Sequence, residues 1–211
     1  MTRFIPLFPL NIVAFPGEKL NLHIFEPRYK QLVLECLEQQ STFGIPVYLE
    51  KGLGKYGTEI KILSLEKKYP NGEMDIKTQG LRVFKLLEFQ RQAPGRLYPG
   101  GEVEYLETVQ DEETGQRENI LELLRKLYGA LGIQSLMLKL PKNFLSYDIA
   151  HHLGFSIEQE YQLLQCLKES DRMEYILEHL RAILPVVQET ERLKERVKLN
   201  GHFKHLSPPN F

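Results

Sequence analysis

The six residues from Gly52 to Gly57 come closer to a reactive motif than any other stretch of the chain. Two glycines separated by four residues have the spacing of a phosphate-cradling loop, where backbone amides and a following lysine hold the phosphates. Here Thr58-Glu59 follow and no lysine does. The segment Lys51–Gly57 therefore reads as a mobile surface loop without nucleotide. A nucleophilic serine needs a base beside it and a strained turn to present it. Ser41, Ser64, Ser135, Ser146, Ser156, Ser170 and Ser207 fall in caps, strands or loops that supply neither. His151 and His152 are neighbours on a predicted helix and point in different directions. His202 and His205 would share a face only on a helical tail, with no cysteine nearby to complete a metal site. Cys36 and Cys166 are the only cysteines and take apolar positions of predicted helices, as buried thiols of a reducing compartment do. The expectation is no catalytic residue, no cofactor and no metal ion.

The elements around these residues are organised by the stretch 4–30. Two apolar runs, Ile5–Leu10 and Leu20–Phe25, flank Phe15-Pro16-Gly17. Pro6 and Pro9 each remove a backbone donor, so the first run pairs on part of its length, as an edge or bulged strand. Pro16-Gly17 signals a turn. Leu20, Leu22 and Ile24 alternate with polar residues at the period of a half-buried strand. Glu26-Pro27 opens a helix, where proline's missing N–H has no partner to lose. Tyr29, Leu32, Val33, Cys36 and Leu37 form its apolar face. Phe15, Phe25, Tyr29 and Leu32 are expected in the core, and Glu26 and Arg28 flank the helix start, where a carboxylate favours the dipole.

Up to about Leu106 the period stays near two. Strands are expected over Phe43–Glu50, Thr58–Tyr69, Met74–Thr78, Leu81–Phe89 and Glu102–Leu106, with Asn71-Gly72 as a hairpin turn and Gly80 separating two strands. Six or more short strands suggest a small closed or half-closed sheet. The acidic, turn-prone stretch 110–115 marks a domain boundary, giving a β domain over 1–110 and a helical domain over 111–211. Beyond it the period is helical. Ile120, Leu123, Leu124, Leu127 and Leu131 form one stripe. Ser156 with Gln159 makes a capping box. Asp171 caps the longest helix, which Pro185 should kink. Leu180, Leu184, Val187, Leu193 and Val197 on that helix could meet a second copy.

A formal charge of −1 over 211 residues, without a Lys/Arg-rich run, argues against nucleic acid as the partner. No signal peptide and no apolar run of about 18 residues is present. The expected location is the cytoplasm. Binding surfaces concentrate on loops of rigid scaffolds. The candidate surface residues are therefore Leu53, Tyr56, Tyr69, Leu97 and Tyr98, apolar or aromatic side chains in or beside Gly/Pro-rich turns.

The wording of "PLFPLNIVAFPG", "LNLHIFEPRYKQLV", "YGTEIKI" and "NGEMDIKTQGLRVFKL" resembles the N-terminal domain of Lon proteases, in the same order and over Ile5 to about Asn200. Pro9, Phe15, Pro16, Gly17, Phe25, Glu26, Pro27, Arg28 and Tyr29 carry that signature. The resemblance implies an α+β fold: a small PUA-like β-barrel with one helix packed on it, then a helical bundle ending in a long helix. It implies a non-catalytic module that recognises unfolded or tagged polypeptides, extended as an adaptor to a separate protease or ATPase. Lon's ATPase and protease follow this module, and the chain is expected to act without them. PUA-like barrels of other families bind RNA, which supplies the alternative reading.

Overall fold

Glycine and proline punctuate the first half of the chain, and the strands they delimit form one antiparallel sheet. A computed structural model describes residues 2–111, 115–141 and 143–202, with the backbone alone for 138, 139 and 199–202. The strands are β1 (Thr2–Pro6), β2 (Lys19–Ile24), β3 (Phe43–Leu49), β4 (Gly52–Lys68), β5 (Met74–Gln90) and β6 (Gly100–Tyr105). Their order is β1-β6-β5-β4-β3, with β2 beside β5. At 17 residues, β5 is long enough for two partners on one edge, β2 along its first half and β6 along its second. Register shifts interrupt the β4–β5 ladder at three places and the β5–β6 ladder at one. Such bulges bend and coil long strands.

The ladder stops short of the closed barrel that the resemblance implied. β1 and β3 are the outer strands; among the described residues the segment after β1 meets β3 through isolated parallel bridges, Leu7 to Gly44 and Leu10 to Val47. Pro6 and Pro9 on one side and Pro46 on the other cannot donate, so a continuous seam cannot form there.

Strand boundaries also differ from the sequence reading: β1 is Thr2–Pro6, whereas the first apolar run pointed to Ile5–Leu10. The expected mobile loop over 51–57 is mostly strand, because β4 begins at Gly52 and pairs with β3. A Cβ at Gly57 would collide with the Ile45 carbonyl oxygen, and one at Gly54 would lie 2.8 Å from the Tyr161 hydroxyl. These glycines permit close approach, not motion. Gly80 likewise sits inside β5 and does not divide two strands.

Helix α1 (Pro27–Gln39) starts at the proline and buries Tyr29, Leu32, Val33 and Cys36. They join Phe8, Phe43, Ile45, Ile60, Met74 and Ile76 in the main core of the sheet. The Phe8 and Tyr29 rings stack with centroids 3.9 Å apart. Ile5, Leu7, Phe84 and Val103 form a smaller cluster.

The chain divides into two compact units, one made of Met1–Asp111 with Leu145–Arg172, the other of the described residues of Glu112–Phe144 and Met173–Phe211. The acidic stretch 110–115 spans the first crossing, although 112–114 lie outside the described residues. Helices α3 (Ser146–Ile149) and α4 (Ile157–Gln165) belong to the sheet's unit, so the helical half of the sequence is shared between the two. Ser156 caps α4 through the reciprocal bonds of a capping box with Gln159. The second unit holds α2 (Gln116–Ala130), with Ile120, Leu124, Leu127 and Tyr128 buried. It also holds all but the first turn of α5 (Glu169–His202), a 34-residue helix that runs through Pro185. That helix begins two residues before Asp171, at a buried Glu169 that accepts bonds from the Ser146 N–H and hydroxyl at 2.7 and 2.8 Å. Of the five α5 residues offered for self-association, Leu180 and Leu184 are already buried, whereas Leu193 and Val197 are exposed.

Candidate functional site

Most of the signature residues work on the fold. Pro16-Gly17 turns the chain across β5: the Gly17 N–H donates to the Gly80 carbonyl, and the Gly80 N–H to the Glu18 carbonyl, both at 2.9 Å. A Cβ on Gly80 would strike the Phe15 carbonyl oxygen, so this crossing requires glycine. The Thr58 hydroxyl donates to the Ala14 carbonyl beneath it. Phe15 is fully buried, with the rings of Tyr147 and His151 each 5.0 Å away. His151 bridges two carboxylates, Glu160 at 2.7 Å and Glu18 at 3.1 Å. These two hydrogen bonds, Glu160's first, raise its pKa to about 10 despite partial burial. The signature turn is thereby pinned to α4 by a charged imidazolium.

Phe25 corrects the expectation of a core position. It follows the inward Ile24, so the strand period turns it outward, and it is 59% exposed. Glu26 caps α1 through its backbone carbonyl, which accepts from the Tyr29 and Lys30 N–H groups, while its carboxylate pairs with Arg28 at 2.8 Å.

The five candidate surface residues fall into three separate contact sets. Tyr69, beside the β4–β5 turn, donates to Asp75 at 2.7 Å and meets the edge of His23. His23 also bonds Asp75 and Glu73, and the bond to Asp75 raises its pKa. Leu97 is 58% exposed, with its N–H held by the Gln31 side chain. Tyr98 is only 5% exposed: its hydroxyl donates to Glu35 at 2.6 Å, and burial followed by this bond pushes the phenol's pKa well up. Offered as a surface residue, Tyr98 instead joins the main core of the sheet, and its hydroxyl meets Glu35 of α1 from 63 positions earlier in the chain.

Leu53 and Tyr56 lie on the β3–β4 hairpin, beside a concave surface. Leu53 faces Tyr48 across the ladder, and the Tyr56 N–H donates to the Tyr161 hydroxyl at 3.0 Å. A cavity of about 450 Å³ opens here, lined by Leu49, Glu50 and Lys51 of the hairpin and by Glu158, Tyr161, Gln162 and Gln165 of α4. Its walls are largely carbon, with the amides and charges at intervals, the composition of a groove for an apolar ligand held by a few polar contacts. The four α4 residues were invisible to loop-based reasoning because they read as ordinary positions of a helix.

No group of three or more His, Cys, Asp or Glu among the described residues is arranged to hold a metal ion. Cys36 and Cys166 are free thiols, and burial pushes both pKa values up. The His202 and His205 side chains lie outside those described. No helix among the described residues is long and apolar enough to cross a membrane.

Comparison with known proteins identifies the domain. A family model described as the ATP-dependent protease La (LON) substrate-binding domain matches residues 5–182. The Lon protease of Azospirillum brasilense is 26% identical over 207 residues, covering 93% of this chain and 25% of that protein. Protein cereblon of Gallus gallus is 26% identical over 98 residues, 44% of this chain and 22% of cereblon. The chain thus spans about a quarter of the length of these curated relatives. Among solved structures, the Lon N-terminal domain protein of Xanthomonas campestris superposes with a TM-score of 0.65 at 26% identity, covering 83% of this chain and 97% of that one. The N-terminal domain of the Mycobacterium avium complex Lon protease gives 0.58 at 16% identity, over 85% and 98%, a likeness of fold alone. With the family model matched along most of its length, this chain belongs to the LON substrate-binding domain family.

Proposed function

We propose that the protein captures extended, apolar segments of unfolded or tagged polypeptides in the groove between the β3–β4 hairpin and α4. The observation that carries this reading is the match of residues 5–182 to a substrate-binding domain of a protease family. The groove's chemistry supports it. Leu49 and the Tyr161 ring offer carbon surface, and Gln162 and Gln165 place amides beside it. A substrate backbone needs such donors and acceptors, because a buried peptide group without a partner is costly. Charges at Glu50, Lys51 and Glu158 rim the groove and supply no strong preference of sign. Delivery of the captured chain to a separately encoded protease or ATPase belongs to the same reading. We read the coiled sheet, laced at its proline-bearing edges, as an open form of the PUA-like barrel.

The test is a fluorescence-anisotropy titration of an unfolded, cysteine-blocked protein against the folded chain and against Leu49→Lys. Burying a leucine side chain contributes roughly 1.5–3 kcal/mol, so the variant is expected to bind about ten-fold more weakly with its circular dichroism unchanged. If the wild type ignores the unfolded protein, or if Leu49→Lys binds it equally well, the groove is not the recognition site.

A further inference from the structure

A second pocket lies outside that groove, built on a buried carboxylate. Thr42, Glu59 of β4, Arg82 of β5 and Tyr105 of β6 form a polar row across the sheet. The Glu59 side chain is 3% exposed. One of its oxygens accepts from the Thr42 hydroxyl at 2.7 Å and the Tyr105 hydroxyl at 2.9 Å, and the other from Arg82 Nε at 2.7 Å. Burying a carboxylate is a costly way to build a sheet unless it is paired and hydrogen-bonded. What the row achieves is the placement of a guanidinium. Glu59 holds Arg82 by Nε, and the Tyr105 ring lies 3.6 Å beneath its central carbon. The Nη groups of Arg82 donate to no carboxylate or carbonyl among the described residues, and half of the side chain is exposed.

Arg82 and Tyr105 form part of the wall of a cavity of about 520 Å³, completed by Thr2, Arg3, Leu106 and Glu107. Arg3 is exposed and has no ion pair or side-chain hydrogen bond with a described residue. The pocket therefore presents two guanidinium groups, one fixed by Glu59 and one without an ion pair among the described residues, against Glu107 on its rim and Glu59 behind it. The two pairs of charges cancel, so the pocket does not suit a phosphate cluster, and a single carboxylate would be held by directed donors and not by net charge. A guanidinium offers parallel donors in a plane, which match the two oxygens of a carboxylate.

We infer that this pocket binds a carboxylate of the polypeptide substrate, from either a chain terminus or an acidic side chain. The inference rests on the polypeptide-recognition reading above. Arg82 supplies the fixed fork and Arg3 closes on the bound group, while the Thr2 and Tyr105 side chains shape the wall. The pocket selects which segment of a disordered chain is held, where the apolar groove alone discriminates little.

Three fluorescein-labelled apolar hexapeptides separate the possibilities: one with a free C-terminal carboxylate, its C-terminal amide, and an amide whose last residue is glutamate. Charge-assisted hydrogen bonds contribute about 1.5–3 kcal/mol, so the free acid is expected to bind about ten-fold or more tightly than the plain amide. Tight binding of the glutamate amide would assign the carboxylate to a side chain, and tight binding of the free acid alone to a terminus. The preference should vanish in Arg3→Gln and Arg82→Gln. The Arg3 side chain makes no ion pair or hydrogen bond with a described residue, so Arg3→Gln remains decisive even if Arg82→Gln, which leaves Glu59 without its guanidinium, fails to fold. Equal binding of all three peptides, binding of none of the three, or a preference that survives Arg3→Gln would overturn the inference. The unfolded-protein titration is run alongside: binding there without any carboxylate preference would leave the polypeptide reading standing and remove this one.

Discussion

Replacing His151 by glutamine should remove a pH-dependent clasp between the signature turn and α4, and the size of the effect follows from the geometry. The imidazole lies 2.7 Å from Glu160 and 3.1 Å from Glu18, and its pKa rises from 6.5 to about 10. At about 1.36 kcal/mol per pH unit, the full shift would correspond to roughly 4–5 kcal/mol. The side chain is 37% exposed, however, and solvent screening of such a group reduces the expected contribution to about 1–2 kcal/mol. Its sign is fixed by linkage. Between about pH 6.5 and about pH 10 the folded state holds a proton that the unfolded state has released, so stability falls as pH rises through that window. The contribution is complete below about pH 6.5 and lost above about pH 10. Urea unfolding followed by far-ultraviolet circular dichroism, for wild type and His151→Gln at a series of pH values from about 6 to about 10.5, isolates it. The wild-type advantage should shrink by about 1–2 kcal/mol across the series. Packing lost in the variant adds an offset independent of pH and does not disturb the slope. A wild-type-minus-variant difference that stays flat from pH 6 to 10.5 would refute the clasp.

Two further outcomes test the packing. Gly80→Ala places a methyl group against the Phe15 carbonyl inside the sheet and should cost about 1–3 kcal/mol in chemical denaturation. Gly95→Ala, at φ +71° with open space around it, should cost about 1 kcal/mol of backbone strain, and Gly80→Ala clearly more; equal losses at the two sites would show that the crossing of the signature turn is not tight. Arg172→Ala leaves the buried Glu169 carboxylate without the guanidinium that pairs with it at 2.6 Å, and should cost about 3–5 kcal/mol. Glu169→Gln combined with Arg172→Met should cost distinctly less, as judged by thermal unfolding, because no charge is then stranded; a double variant worse than Arg172→Ala would contradict this.

Local chemistry was legible in the sequence wherever one segment dictates its own conformation. Pro27 starts α1, Ser156 with Gln159 caps α4, Asn71-Gly72 turns between β4 and β5, and the period of two identifies Leu20, Leu22 and Ile24 as one face. The signature words carried the family. Glycine was read less well, because flexibility and close approach leave the same letter in a sequence. Gly54, Gly57 and Gly80 proved to be places where a carbonyl, a ring or a hydroxyl passes within a methyl group's radius. Tyr98 likewise looked exposed beside its turn, yet it is buried in the main core with its hydroxyl on Glu35 of α1.

By itself, then, the sequence determined most element types, several of their ends and the family, because propensity, capping and periodicity act over a few residues. The tertiary structure alone decided what meets across long separations. It returned residues 145–172 to the sheet's unit, set Tyr161 against Tyr56 from 105 positions away, and lined up Thr42, Glu59, Arg82 and Tyr105 from distant parts of the chain. No local rule encodes such meetings. They follow from which surfaces remain apolar after the local elements have formed, and from the hydrogen bonds that burial then makes obligatory.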